Sequence, residues 1–410
     1  MSNGTSPAIR TLLHNYLAAQ DLQDAATGEL EGGSANWCWR ITVASARPED
    51  DGPGYGRHVA PLRTYILKHA QPYIKVNPAV PFPLTRLAIE AAAMRSVPVW
   101  MNRTVSSDTS ISQLNINVST IYNYDATHHF LCMSDGGRRT LKGAFVSLKH
   151  QHPSIGRRLG TWLARLQSST LVTDDTTAEA MPDPIFTNNA AAELAAEFPY
   201  RNIRRAMCNL GMAEERIQAM EELAGIYNTM ITARAKESGT ATAACICHGD
   251  FLLTNVLVAD IDVDFEGSNN SSTNSTSGET QIARIQPILT VIDWELAHLS
   301  PFRGASDVGQ LAAEIAAMQR RHGDFGFLDS FLLAYRETAG TRLEERFCQQ
   351  VAVHFGVQNI YWDQGVRWSI FDGGTKEGAE IGCEVAGRAS SKEWEWMRGS
   401  VLARLVPEEW

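Results

Sequence analysis

The segment Ile246–Val258, with the sequence ICHGDFLLTNVLV, constrains this chain more than any other. Apolar residues lie at both of its ends. Between them, the triplet His248–Asp250 combines a glycine with polar side chains, and Asn255 follows after four further residues. Buried strands are short and apolar, and glycine with polar residues indicates a turn. The segment therefore predicts a strand, a tight loop and a second strand.

The polar residues of this loop are those that phosphoryl transfer requires. Such a site needs a carboxylate that orients and deprotonates the acceptor hydroxyl, and oxygen ligands that hold magnesium. Asp250 fits the first role and Asn255 the second. A second apolar run begins at Leu289 and ends in Asp293, which supplies another oxygen ligand. The alternative is structural, because Asp250 could cap a turn and Asp293 a helix.

Composition excludes several other classes of protein. The chain has 410 residues, of which 44% are hydrophobic, enough for two lobes around a large core. Its net charge of −10 argues against a nucleic-acid binder. The N-terminus has no apolar signal segment and there is no long apolar run, so we expect a cytoplasmic protein without membrane contact. Nothing in the sequence implies an obligate protein partner.

The N-terminal third is predicted to be rich in strands. A helix is expected over Ile9–Leu22, followed by a glycine-rich turn over Gly28–Trp37 and a strand over Trp37–Val43. The sequence TYILKHA predicts a further strand, with Ile66 and Lys68 on the same face.

The next elements lead to a crossover between two lobes. A helix over Pro83–Val97 has an apolar stripe that includes the position of Glu90, so this carboxylate should face inward. Strands are predicted over Ile116–Tyr124 and His129–Met133. The polar, glycine-containing stretch that follows is the expected crossover.

Most of the remaining chain has helical periodicity. Helices are predicted over Ile155–Leu166, Ala190–Phe198, Ile203–Leu210, Glu214–Ala235, Val308–Gln319, Phe325–Glu337, Leu343–Val366 and Trp394–Val406. The Ser/Asn-rich insert Gly267–Thr280 has no apolar content, so we expect it to be disordered and exposed.

Strands first and helices afterwards predict an α+β protein of the bilobal, protein-kinase-like fold. The antiparallel-sheet N-lobe would comprise residues 1–133, the hinge residues 134–137 and the mostly helical C-lobe residues 138–410. In such a fold Lys68 would bind the nucleotide phosphates and pair with Glu90. A single strand lysine or helical glutamate is ordinarily a surface residue, and it is the order of the motifs that favours the functional interpretation. The other residues expected to bind the nucleotide lie in the glycine-rich turn and the hinge: Gly33, Ser34, Asn36, Met133 and Asp135.

These segments resemble the aminoglycoside phosphotransferase/choline kinase superfamily, and within it the methylthioribose kinase and 4-hydroxytryptamine kinase branch. The resemblance extends from about Gly28 to Leu311 and is carried by GELEGGSANWCWRITV, TYILKHAQPYI, the IE of LTRLAIEAAAM, LCMSDGGRRTL, IGRRLGTWLARL, ICHGDFLLTNVLV and TVIDWELAHLSPFRGASDVGQL. It implies ATP- and Mg²⁺-dependent phosphorylation of a hydroxyl on a small molecule such as an amino alcohol, a sugar-like compound or a hydroxyindole.

The chain also departs from the family pattern. Gln167 stands where the family usually has histidine, so a hydrogen bond between a helix and a loop should differ. The region after Leu311 matches only loosely, and it builds the acceptor pocket in such folds. The candidates for that pocket are Trp294, Glu295, Asp307, Tyr361 and Trp362. Asp307 has a second interpretation, in which its carboxylate braces the catalytic loop.

Three alternatives to this function differ in class or substrate. A catalytically silent binding protein would retain the fold, although none of the essential groups is missing from the sequence. A protein kinase is disfavoured because no activation-segment motif follows Asp293. A choline or ethanolamine kinase remains open, since the sequence does not identify the acceptor.

Overall fold

The structure, a computed structural model, describes residues 6–31, 33–44, 62–103, 114–173, 176, 182–187, 190–236, 244–259, 286–300, 304–340, 343–361 and 375–410. The insert Gly267–Thr280 and Trp362 lie outside these residues.

Eleven α-helices are formed by the described residues. In chain order they are α1 Pro7–Ala19, α2 Thr85–Arg103, α3 His152–Ser169, α4 Ala190–Arg201, α5 Ile203–Asn209, α6 Glu214–Lys236, α7 Ala305–His322, α8 Phe327–Ala339, α9 Glu345–Tyr361, α10 Lys376–Ser390 and α11 Trp394–Met397.

The strands are concentrated in the N-terminal part and around the HGD loop (His248–Asp250). In chain order they are β1 Ala26–Glu29, β2 Trp37–Ala44, β3 Leu62–His69, β4 Tyr73–Ile74, β5 Asn77–Pro81, β6 Ile116–Val118, β7 Ile121–Asp125, β8 Phe130–Ser134, β9 Arg139–Thr140, β10 Cys245–Cys247, β11 Val256–Val258, β12 Leu289–Val291 and β13 His298–Ser300.

Lys68 lies on the central strand of the N-terminal sheet. The sheet is antiparallel in the order β1-β2-β3-β8-β7, and Lys68 lies between Cys38 of β2 and Leu131 of β8. Leu67 belongs to the apolar cluster that includes Leu13 of α1. Because successive strand residues point to opposite faces, Lys68 points away from α1, to the face where α2 packs.

The HGD loop is positioned by two short antiparallel pairings. Strand β10, which precedes the loop, pairs with β13, and β11, which follows it, pairs with β12. The register places Val256 opposite Val291, so β11 begins beside the end of β12. Strand β6 pairs in parallel with β12. The predicted N-lobe therefore contains a strand whose sheet partner lies in the predicted C-lobe.

Gln167 forms a hydrogen bond between a helix and a loop, and its side-chain amide takes the place of the histidine ring usual in the family. Its amide nitrogen donates to the carbonyl of Gly304, which directly precedes α7, at 3.2 Å. The hydroxyl of Tyr335 on α8 donates to its amide oxygen at 2.6 Å. Gln167 thus connects α3 with α8 and with the beginning of α7. The glutamine supplies both a donor and an acceptor here, which a neutral histidine can also do.

The fold class predicted from the sequence is confirmed, and the errors concern individual elements. The predicted strand Ile116–Tyr124 is two strands, and the predicted helix Trp394–Val406 is the short helix α11 followed by a 3-10 turn over Ala403–Leu405. Helix α10 was not predicted, because its three glycines weaken the helical signal. Its Gly382 packs against α9, where an added Cβ would lie 2.9 Å from the carbonyl oxygen of Gly356. Close packing of the two helices therefore explains why glycine occurs at position 382, although glycine has a low helix propensity. Within the described residues no helix has the length and apolar character to span a bilayer.

Candidate active site

The HGD loop is held in one shape by Asp307 on α7. The carboxylate of Asp307 accepts hydrogen bonds from the backbone N–H groups of His248 at 2.8 Å and Gly249 at 3.0 Å. Gly249 has φ +84°, and a Cβ there would lie 2.2 Å from the carbonyl oxygen of Leu296, so the turn requires glycine. Asp307 is fully buried. Its predicted place in the acceptor pocket is therefore corrected, because both of its oxygens brace the loop.

His248 is a structural residue of the HGD loop. Its side chain is fully buried, and its Nε2 is 2.9 Å from the carbonyl oxygen of Ile292. Burial lowers the pKa of His248 to about 4, so the ring is neutral near pH 7 and donates to this carbonyl. The imidazole therefore connects the HGD loop to the residue that precedes Asp293.

Asp250 is oriented by two amide donors. Gln310 Nε2 donates to Oδ1 at 2.8 Å, and Asn255 Nδ2 donates to Oδ2 at 3.0 Å. Burial raises the pKa of Asp250 to about 7, the charge of Asp293 adds to the rise, and the two amide hydrogen bonds oppose it. A carboxyl group that titrates near neutrality is well matched to accept a proton from an alcohol.

Helix α7 supports the loop through more than Asp307. Gln310 follows one turn later and contacts Asp250, and Glu314 one turn after that accepts the backbone N–H of Leu253. Glu314 is also paired with Lys142 at 3.4 Å. Gln310 and Glu314 were not among the site residues predicted from the sequence. The available signal was the spacing of three polar residues along one face of an otherwise apolar helix.

Asn255 and Asp293 lie at adjacent strand ends. The backbone N–H of Ile292 donates to the carbonyl of Asn255 at 2.9 Å. The side-chain nitrogen of Asn255 donates to both the backbone and the carboxylate oxygen of Asp250. The amide oxygen is therefore the group that Asn255 can offer to a cation. Asp293 has φ +68°, in the left-handed region that few residues other than glycine, asparagine and aspartate adopt.

The predicted pair of Lys68 and Glu90 is formed. Lys68 Nζ lies 2.7 Å from Glu90 Oε2, and both side chains are buried. The same ammonium contacts the carboxylate of Asp293 and lies 3.8 Å from that of Glu295. Burial disfavours the charged lysine, but Asp293 and Glu295 outweigh it and hold the pKa of Lys68 well above its usual value. Lys68 is therefore a cation that joins the sheet, α2 and the end of β12.

The carboxylates around Lys68 form a compact group, called here the carboxylate cluster: Glu90, Asp293 and Glu295. One oxygen from each lies within 4.8 Å of the others, which makes the cluster a possible cation site among the described residues. Although burial raises it, the ammonium of Lys68 holds the pKa of Asp293 below its usual value. Asp293 therefore carries a negative charge at neutral pH.

The side chain of Asn36 in the glycine-rich turn makes internal hydrogen bonds, whereas a contact with the nucleotide was predicted. Asn36 is buried, and its side chain donates to Glu295 Oε2 and accepts from Arg86, so it does not point toward a phosphate. This corrects the expectation that Asn36 contacts the nucleotide through its side chain. The carbonyl of Ser34 accepts the N–H of Val76 at 3.1 Å. Gly33, which precedes it, is also part of this turn.

The predicted hinge lies close to Lys68 on the same sheet. Met133 pairs with Ile66, two positions from Lys68, and the N–H of Ser134 donates to the carbonyl of Thr120, directly before β7, at 2.8 Å. The side chain of Asp135 is paired with Arg40, with Nε to Oδ2 at 2.6 Å and Nη2 to Oδ1 at 3.1 Å. That carboxylate is therefore committed within the fold, and only the backbone of this segment remains a candidate for contacting a base.

The aromatic candidates for the acceptor pocket pack within the protein. Trp294 is fully buried beside Trp162 and His248, with ring centroids 6.1 Å and 4.6 Å away. Tyr361 is buried at the end of α9 in edge contact with Phe198. Trp294 has no exposed surface, and Tyr361 is 4% exposed. The prediction that Trp294 contacts the acceptor is therefore corrected, whereas that for Tyr361 stays a prediction.

Comparisons with known proteins give matches among solved structures alone. No family model matches the chain, and no curated protein matches it. An ethanolamine kinase from Plasmodium vivax is 10% identical, with 92% of this chain and 84% of that chain covered and a TM-score of 0.43. A microcompartment-associated aminopropanol kinase is 15% identical, with 96% and 99% covered and a TM-score of 0.42.

A third similar structure is an aminoglycoside-3'-phosphotransferase of type VIII. It is 14% identical, with 85% of this chain and 99% of that chain covered and a TM-score of 0.44. Similarity at these levels does not transfer a function. A function for this chain has to be argued from the side chains of the site.

Proposed function

We propose that this protein is an ATP- and Mg²⁺-dependent phosphotransferase that acts on a hydroxyl group of a small molecule. The observation that carries the proposal is the position of Lys68, whose ammonium touches both Glu90 of α2 and Asp293 at the end of β12. Phosphoryl transfer needs a cation beside the phosphates and oxygen ligands for a metal in one place. The adjacent HGD loop adds Asp250, a carboxylate with a pKa of about 7.

The donor set fits magnesium. Asp293 offers a carboxylate and Asn255 an amide oxygen, and hard oxygen ligands are those that Mg²⁺ prefers. Bound Mg²⁺ supplies positive charge that neutralises the phosphates. The thiol of Cys38, on the strand beside Lys68, is buried, and burial raises its pKa to about 12, so it is protonated at neutral pH.

Within this function each residue has a separate role. Asp250 orients the acceptor hydroxyl and accepts its proton as the oxygen attacks phosphorus. Lys68 binds phosphate oxygens and is kept in position by Glu90. Asn255 and Asp293 hold the metal, and the backbone near Met133 is the candidate adenine contact. The lobes would meet at residues 134–137.

Membership in the aminoglycoside phosphotransferase/choline kinase superfamily is part of this proposal, and the methylthioribose and hydroxytryptamine kinase branch is its more specific form. The acceptor is an alcohol, and amino alcohols, sugar-like compounds and hydroxyindoles are the classes to test. What supports the proposal is the set of motifs that carry the resemblance, together with the convergence of Lys68, Glu90, Asp250, Asn255 and Asp293.

The experiment is a screen of purified protein with Mg-ATP against a panel of amino alcohols, sugars and hydroxyindoles. ADP release is measured with and without each alcohol, and the phosphorylated product is identified by mass spectrometry. The variant Asp250→Asn is the matched control for contaminating kinases. ATP binding without ADP release on any alcohol would contradict the proposal and favour a binding protein.

A further inference from the structure

Gly309 is a buried glycine inside helix α7, between the two residues that connect this helix to the centre of the HGD loop. Asp307, two positions earlier, accepts hydrogen bonds from two backbone N–H groups of the loop. Gln310, the next residue, donates to Asp250 at 2.8 Å. Glycine is less favourable than alanine inside a helix. A packing reason is therefore expected for glycine at this position.

The reason is the close approach of α7 to α9. A Cβ added to Gly309 would lie 2.8 Å from the carbonyl oxygen of Val351 and 3.0 Å from the Cβ of His354, both on α9. A carbon atom in contact with a carbonyl oxygen usually lies about 3.3–3.6 Å from it. Alanine at this position would therefore force the two helices apart by about 0.5 Å.

Helix α9 is enclosed on all sides and leaves α7 as the element that has to move. Every residue over Gln350–Tyr361 is buried. His354 Nδ1 lies 2.7 Å from the hydroxyl of Tyr200 on α4. Gly356 packs closely against α10, where an added Cβ would lie 2.6 Å from a carbonyl oxygen. Because interiors are close-packed, α9 is a fixed surface against which α7 lies.

The position of α7 decides its contacts with the HGD loop. Successive helix residues project about 100° apart, so Gly309 and Gln310 face different neighbours. The helix moves as one body, and a displacement at Gly309 carries Asp307 and Gln310 with it. A hydrogen bond of 2.8 Å that lengthens by about 0.5 Å leaves the usual range of about 2.7–3.2 Å.

We propose that Gly309 is a positioning residue, whose lack of a side chain lets α7 lie against α9 and thereby keeps Asp307 and Gln310 in contact with the HGD loop. Gly309 itself touches neither substrate nor the reacting atoms. The inference rests on the proposed function where it concerns turnover, because Asp250 is the proposed base. Where it concerns the shape of the loop, it is independent of that function.

The first test measures the loop without any activity. Hydrogen exchange is followed by mass spectrometry in peptides that contain His248 and Gly249, whose N–H groups are bonded to Asp307. Gly309→Ala should speed their exchange by about tenfold, because the displaced carboxylate no longer protects them. Exchange within about twofold of wild type would overturn the inference.

The matched control is Gly382→Ala on α10, where the added Cβ would lie 2.9 Å from a carbonyl oxygen of α9. The clash is almost the same, but α10 does not contact the HGD loop through a described hydrogen bond, and its outer side is exposed. This variant should leave the exchange of the loop within about twofold of wild type. Equal acceleration in both variants would show general loosening and overturn the inference.

The second test measures turnover with Mg-ATP and the most active alcohol of the panel. Gly309→Ala should lower kcat by roughly three- to tenfold and leave the KM for ATP within about twofold, since the displaced amide contacts Asp250 and not the nucleotide. Gly382→Ala should change neither constant by more than about twofold. A kcat like that of wild type in Gly309→Ala would overturn the role in turnover.

Gln310→Asn covers the case in which Gly309→Ala does not fold. Its side chain is shorter by one carbon–carbon bond, about 1.5 Å, so the amide cannot reach Asp250 while α7 stays in place. Its kcat should fall as far as that of Gln310→Ala. Turnover like that of wild type would show that α7 moves freely toward the loop, and would overturn the inference.

The two tests separate this inference from the proposed function. Protein that phosphorylates no alcohol, but whose loop exchange responds to Gly309→Ala and not to Gly382→Ala, would overturn the phosphotransferase and support the positioning role. Active protein whose loop exchange and kcat are unchanged in Gly309→Ala would overturn the positioning role and leave the phosphotransferase in place.

Discussion

Gln310 on α7 donates a hydrogen bond of 2.8 Å to Oδ1 of Asp250, the carboxylate proposed as the base. Asn255 donates to the other oxygen, so each oxygen of this carboxylate accepts a hydrogen bond from a side-chain amide. The helix that braces the loop through Asp307 therefore also orients the reacting group. These hydrogen bonds stabilise the charged form of Asp250 and lower its pKa, whereas burial raises it.

Gln310→Ala should shift the acid side of the pH–rate profile. Loss of a donor to the charged carboxylate raises the pKa of Asp250 further above about 7, so the base is ionised only at higher pH. Turnover near pH 7 should fall by roughly three- to tenfold and recover at higher pH. The measurement is kcat/KM from pH 5.5 to 9.

The matched control is Gln319→Ala on the same helix, where the side chain bonds Asp324 and does not contact the HGD loop. Gln319→Ala should leave the pH–rate profile unchanged. An unshifted profile in Gln310→Ala would mean that Gln310 does not tune the base.

Asp250→Asn should separate nucleotide binding from turnover. Asparagine keeps the size of the side chain but cannot accept a proton, so turnover should fall by roughly 10²–10⁴. The affinity for ATP should stay close to that of wild type, because the base contacts the acceptor. Titration with ATP and steady-state ADP release on one preparation measure both quantities. Turnover like that of wild type would remove Asp250 from the mechanism.

Lys68→Ala should raise the ATP concentration needed for half-maximal rate and lower the maximal rate as well. The ammonium is proposed to position phosphate oxygens, and its loss affects both binding and the transition state. It also leaves Glu90 and Glu295 buried with one cation fewer, so the unfolding midpoint should fall.

Lys75→Ala is the control for Lys68→Ala, because the carboxylate that pairs with Lys75 is that of Glu29, which does not belong to the carboxylate cluster. An unchanged ATP dependence in Lys68→Ala would show that the lysine has only a structural role.

Gly249→Ala should destabilise the protein and inactivate it. The new Cβ would lie 2.2 Å from the carbonyl oxygen of Leu296 on a backbone with φ +84°, so both a clash and strain arise. The free energy of unfolding should fall by about 2–4 kcal/mol in urea titrations. Gly211→Ala isolates the strain, because φ is +63° there and an added Cβ meets nothing within 4 Å. Equal losses at both positions would argue against the clash.

His354 should make stability depend on pH. It is buried on α9, with Nδ1 2.7 Å from the hydroxyl of Tyr200, and burial lowers its pKa from 6.5 to about 3. Below pH 6.5 the unfolded chain binds a proton that the folded protein excludes. The contribution of neutral His354 to the free energy of unfolding is therefore fully present above pH 6.5, and it is lost as the pH falls toward 3.

The loss attributable to His354 should be about 2 kcal/mol between pH 6.5 and pH 5. Urea unfolding of His354→Gln at both values should show a dependence weaker by that amount. His14→Gln, at an exposed position on α1, is the control and should retain the wild-type dependence. An identical dependence in all three proteins would mean that His354 is protonated in the folded state.

The sequence by itself determined the residues that carry chemistry and the order of the elements that bear them. Three features could be predicted from local periodicity, which is visible within a short stretch of sequence. They are the HGD loop between two apolar runs, the apolar run ending in Asp293, and the helix with an inward Glu90. The structure then brought Lys68 and Glu90 within 2.7 Å.

Only the tertiary structure decided which polar residues are supports and which are available to ligands. Trp294, Asp307 and Asn36 occupy motif positions, yet their side chains are committed to packing or to internal hydrogen bonds. Gln310 and Arg86 belong to no motif, yet they contact Asp250 and Glu295. These partners lie 60 and about 200 positions away in the chain. Local periodicity carries no information on such pairs, because burial and long-range contacts arise only when the elements pack together.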